Sequence, residues 1–128
     1  MNRYDASTAP DPEAWLELDE QERIDAVIDC HKRTKAPVGQ DKTLHALAHV
    51  IVENQIAMGD ATAVPATLDR LMREGLDRHD AVHAIGSVLM GIIFDVTTKK
   101  AGADVDINAQ YGRELAALTA TSWREQAD

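Results

Sequence analysis

A chain of 128 residues fits one domain and is long enough to bury a core without disulfides holding it together. Hydrophobic residues make up 45% and charged residues 27%, which excludes a disordered or low-complexity chain. Thirteen basic against 22 acidic side chains leave a net charge of −9, a field that repels phosphate backbones and excludes nucleic acid as a partner.

Strand signals are nearly absent, while helix starts and stops recur along the chain. Residues 1–11 are polar and expected to form a flexible N-terminal segment ahead of a single helical domain over 12–128. Asp11 and Pro12 suit the cap and first position of a short helix through Trp15 to Leu18. Asp19 and Glu22 resemble a capping box and restart a helix to about Thr34, burying Ile24, Val27, Ile28 and His31. Lys35 to Gln40 reads as a loop. Asp41 caps the next helix, whose stripe of Leu44, Leu47, Ala48, Ile51, Val52 and Met58 ends at Gly59. Pro65 suits the first turn of a helix carrying Leu68, Leu71 and Met72, and Gly75 ends it as a left-handed cap.

Asp77 caps a helix to about Lys100 that is apolar over a broad arc, from Ala81 and Ile85 to Leu89 and Ile93. That breadth marks it as the central helix. Gly102 stops it, and Asp106 starts a last amphipathic helix carrying Ile107, Tyr111, Leu115, Leu118 and Trp123. Short connections favour antiparallel neighbours. The expected fold is therefore all-α, a compact single-domain bundle of about five main helices plus a short N-terminal helical turn.

The single cysteine, Cys30, makes no intramolecular disulfide and reads as core, which suits a reducing compartment. No charged-then-apolar leader stands in Asn2 to Pro12, so the expected location is the cytoplasm. The most apolar stretch, Ala81 to Val96, is broken by His83, Gly86, Ser87 and Asp95. It is too short and too polar to cross a bilayer, so no membrane contact is expected.

Two identical spacings carry the chemistry: His45-x-x-x-His49 and His79-x-x-x-His83. At about 100° per residue, each pair stacks on one helical face roughly 40° apart, at the border of an apolar stripe. Glu53 follows His49 by one further turn. If the two helices are neighbours, four imidazoles and Glu53 converge, a donor set suited to a divalent transition metal such as zinc, iron or nickel. The intervening residues match neither the His-Glu-x-x-His of metalloproteases nor the Glu-x-x-His of di-iron bundles. A lone His-x-x-x-His pair is common in helix grooves without any metal; the doubling is what raises it above that background. Cys30 and His31 are adjacent, so their side chains diverge and a cysteine nucleophile is not expected. Met58, Met72 and Met90 read as packing. Trp15 and Trp123 are placed where the terminal helices dock, or on a partner surface. Asn54 and Gln55 suit hydrogen bonds across the inter-helix groove.

The stretch His-Ala-Leu-Ala-His-Val-Ile-Val-Glu-Asn-Gln-Ile-Ala from His45 to Ala57, with Gly75 to His83 after it, resembles the core of a bacterial family of small all-helical proteins, a domain of unknown function with paired His-x-x-x-His helices. The resemblance spans roughly residues 41 to 95 and implies a soluble helical domain with His45, His49, Glu53, His79 and His83 at the motif positions. It implies no substrate.

The leading expectation is thus a metal-binding helical protein with those five residues as its site, Glu53 being either a ligand or the group that orients one. The alternative is a metal-free module that associates with itself as a homo-oligomer, its histidines hydrogen-bonded in inter-helix grooves. A hydrolase using Glu53 as general base ranks third, and an enzyme is not the favoured reading.

Overall fold

Seven α-helices account for the described residues, 4–34, 42–59, 62–98 and 107–127, of this computed structural model. They are α1 (Pro12–Glu17), α2 (Glu20–Thr34), α3 (Lys42–Ala57), α4 (Val64–Arg73), α5 (Arg78–Thr98), α6 (Ile107–Ala117) and α7 (Ala120–Ala127). The all-α bundle expected from the sequence is the fold found. The Lys35 to Gln40 loop, the caps at Asp41 and Asp106 and the stop at Gly102 lie outside the described residues.

Local chemistry accounts for several boundaries. Asp11 accepts from the Ala14 amide at 3.0 Å and opens α1. Asp19 and Glu22 form the reciprocal box: the Glu22 amide donates to Asp19 at 2.8 Å and the Asp19 amide to Glu22 at 3.2 Å. Asp77 accepts from the Asp80 amide at 2.8 Å at the start of α5. Gly75, at φ +111°, closes α4 as a Schellman turn. Leu76 donates back to the Leu71 carbonyl and Gly75 to that of Met72, both at 3.1 Å.

The C-terminal helix expected to be continuous is two helices. Thr119 and Ser122 cap each other, amide to hydroxyl, at 3.0 Å in both directions. That box starts α7 afresh after the break at residues 118–119, a competing local bond the apolar spacing does not reveal.

The centre of the bundle is the α3–α5 pair. α3 also packs on α1, α2 and α4, and α5 on α4 and α6. α3 is consequently buried on opposite faces. Val50 belongs to a cluster with Tyr4, Ala6, Trp15, Val27 and Cys30, whereas Val52 belongs to the larger cluster built on α4, α5 and α6. Trp15 and Trp123 do not share a cluster: Trp15 sits in the first and Trp123 packs against the second. Tyr4 and Ala6, in the segment placed outside the domain by the sequence, are 4% and 1% exposed. They are tied down through their carbonyls, which accept from the guanidinium groups of Arg33 and Arg78. Met58 and Met72 are exposed rather than packed, and so is Leu44. No helix among the described residues is long and apolar enough to cross a membrane.

Candidate metal centre

Three helices meet at one cluster of imidazoles. α3 contributes His45 and His49 one turn apart, α5 contributes His79 and His83 with the same spacing, and α2 brings His31 in its last turn. Because α3 packs on both α2 and α5, all five histidines of the chain converge. The Nε2 of His45 lies 3.1 Å from that of His31 and 3.1 Å from that of His83. His31 Nε2 is 3.3 Å from His83 Nε2 and 3.4 Å from His79 Nε2. Among the described residues, His31, His49, His79 and His83 place their ligating atoms within 4.8 Å of one another and could hold a metal ion. His45 abuts this group through His31 and His83.

Two of the rings have their protons fixed from outside. The Nδ1 of His31 lies 2.8 Å from the Val27 carbonyl. A carbonyl only accepts, so Nδ1 carries a proton and Nε2 is the nitrogen turned to the cluster. His49 is set by a relay. The Tyr4 hydroxyl donates to Glu53 Oε2 in a short hydrogen bond, so its oxygen accepts from the Nδ1–H of His49 at 3.1 Å. The Nε2 of His49 is then a buried acceptor with no hydrogen-bond partner among the described residues.

Glu53 stands outside the imidazole cluster. It is fully buried, and Arg78 grips both its oxygens at 2.8 Å. Burial alone would lower the Arg78 pKa, but hydrogen bonding and charge from Glu53 outweigh it and raise the pKa above its usual value. Burial, then the Glu53 charge, pushes the Tyr4 hydroxyl far up, so it stays protonated and remains a donor to Glu53. Glu53 is not among the residues whose ligating atoms come together; it reaches His49 through the Tyr4 hydroxyl.

Burial is also the main influence on the imidazoles. It lowers the pKa of His83 to about 3, with the neighbouring histidines adding in the same direction. His49 is pushed well below its ordinary value, again chiefly by burial, and His45 and His79 are lowered for the same reason. Neutral imidazoles are the form a metal requires.

The two His-x-x-x-His pairs therefore meet as their spacing suggests. His31, Tyr4 and Arg78 are the residues that spacing missed. His31 had a signal, since a histidine continuing the apolar stripe of Ile24, Val27 and Ile28 must find a polar partner inside. Arg78 had one too: an arginine opening a helix opposes the dipole unless an anion compensates. No family model, no curated protein and no solved structure matches the chain.

Proposed function

We propose that the protein binds one divalent transition metal ion through its histidine cluster. The observation carrying this reading is the set of Nε2–Nε2 contacts of 3.1–3.4 Å around His31. The Nε2 of His31 cannot satisfy three neighbouring nitrogens at once, and the buried Nε2 of His49 has no donor among the described residues. A cation between the rings satisfies every lone pair together. Within the ligand group, the separations of His31 from His83 and His79, 3.3 and 3.4 Å, match the roughly 3.3 Å between nitrogens about 2.0 Å from a tetrahedral metal, and the whole group lies within 4.8 Å.

His31, His49, His79 and His83 would be the ligands, with His45 beside them as a fifth donor. Glu53, Tyr4 and Arg78 would form the outer shell that fixes the His49 ring. An all-imidazole donor set suits zinc, iron or nickel; among the described residues no thiolate or carboxylate belongs to the ligand group. Bound metal would supply charge stabilisation and join three helices into one unit.

The test is elemental analysis of protein purified without a histidine tag, with about one metal ion expected per chain. His31→Ala, His49→Ala and His83→Ala should each lose the metal while the far-ultraviolet circular dichroism stays helical. Metal-free protein that shows no thermal shift with zinc, iron or nickel would overturn the proposal and favour the self-associating module.

A further inference from the structure

A cavity of about 330 Å³ lies against the histidine cluster and shares three of its rings, His45, His49 and His83. Its other walls come from α3, α5 and α7, chiefly Leu44, Ala48, Val82, Met90 and Trp123, with the Ser87 hydroxyl beside them. The volume is at the low end of ligand pockets, which run from about 300 to 1,000 Å³. Among the described residues, no charged side chain lines it. A ligand in this cavity would find apolar walls and, at one end, only imidazole.

The charge of the centre narrows the ligand further. Imidazoles are neutral donors, so a divalent ion held by them keeps its full positive charge in a largely buried place. Among the described residues the buried carboxylate beside the cluster is Glu53, already neutralised by Arg78. Asp5, Asp77 and Asp80 do act on the cluster, but on His79, which does not line the cavity. On the cavity side the charge is uncompensated, and an anionic donor brought by a ligand is what that side lacks.

Building on the metal reading above, we infer that the cavity seats a small monocarboxylate with an apolar body, its carboxylate taking the fifth position on a metal expanded beyond its four imidazoles in place of His45, and its hydrocarbon part between Leu44, Val82, Met90 and Trp123. The binding is reversible coordination, with no covalent step.

The experiment uses the full chain loaded with cobalt(II), whose visible absorption reports its coordination, titrated with acetate, hexanoate and hexanamide. Hexanoate should perturb the cobalt spectrum at concentrations about ten to a hundred times lower than acetate, because its extra methylenes leave water. Hexanamide, uncharged, should leave the spectrum unchanged. Ser87→Trp and, separately, Leu44→Trp place bulk at two exposed positions of the cavity wall; each should abolish the preference for hexanoate while cobalt uptake persists. Equal response to acetate and hexanoate, or a preference that survives both substitutions, would overturn this inference and leave the metal reading standing. Failure to take up cobalt would overturn the two together.

Discussion

The hydroxyl of Tyr4 lies 3.1 Å from the Nδ1 of His49, and this one contact decides which nitrogen of that ring faces the cluster. Tyr4 spends its own proton on Glu53, so it can only accept from His49. The buried carboxylate thus sets the tautomer of a candidate ligand through a tyrosine drawn from the chain's first few residues.

Tyr4→Phe removes that relay with little change of shape. Outer partners of metal-bound histidines typically carry about 10- to 100-fold in affinity, and a weakening of that size is expected in competition with a chromophoric chelator. The fold should survive, with a loss of about 1–2 kcal/mol in urea unfolding, because Arg78 still holds both oxygens of Glu53. An unchanged metal affinity would show that His49 is oriented by packing alone.

The Glu53–Arg78 pair is both buried and bidentate. Removing one partner strands the other's charge, so Glu53→Ala is expected to cost about 3–5 kcal/mol. The double variant Glu53→Leu with Arg78→Met should be less damaging than Glu53→Ala alone, since no unpaired charge remains inside. Chemical unfolding of the two proteins checks the order. Arg78→Met should also loosen the N-terminal segment, because its guanidinium holds the Ala6 carbonyl at 3.0 Å; faster proteolysis ahead of α1 would report that.

How much of this was legible in the sequence follows from the kind of bond involved. Caps act over three or four residues, so Asp11, the Asp19–Glu22 box, Gly75 and Asp77 could be read directly. The pairing of His45 with His49 and of His79 with His83 is likewise local. His31 joins them only because α3 packs against α2, and Tyr4 reaches Glu53 across 49 positions of chain. No periodicity encodes contacts at that separation. The apolar stripes were read more generously than the bundle needs: Leu44 lies on the expected stripe yet is 45% exposed, at the wall of the cavity.

Gly75 offers a test of the fold independent of the site. Its φ of +111° is strained for any L side chain, and a Cβ there would stand 3.2 Å from the Arg124 guanidinium, which itself donates to the Gly75 carbonyl at 3.0 Å. Gly75→Ala should therefore destabilise the protein by about 1–2 kcal/mol in urea unfolding. Metal content should stay at the level of the unaltered protein, because none of the histidines is touched.

Acid should unfold the metal-free protein through the imidazoles. Burial holds His83 at about 3 in the folded state, against about 6.5 in an unfolded chain. Between those values the unfolded state binds a proton that the folded state does not, so stability is full above pH about 6.5 and falls as the pH drops toward 3. One such histidine costs about 1.4 kcal/mol per pH unit in that window. His45, His49 and His79 shift in the same direction, chiefly through burial, and steepen the fall. Thermal melts of chelator-treated protein from pH 7.5 to 4 should show the melting temperature decreasing throughout, and His83→Gln should flatten the slope by removing one proton from the balance. Bound metal should hold the melting temperature up at neutral pH and make its loss on acidification steeper, since protons and metal compete for the same nitrogens. A metal-free melting temperature that stays level down to pH 4 would mean that the rings open to water before they charge.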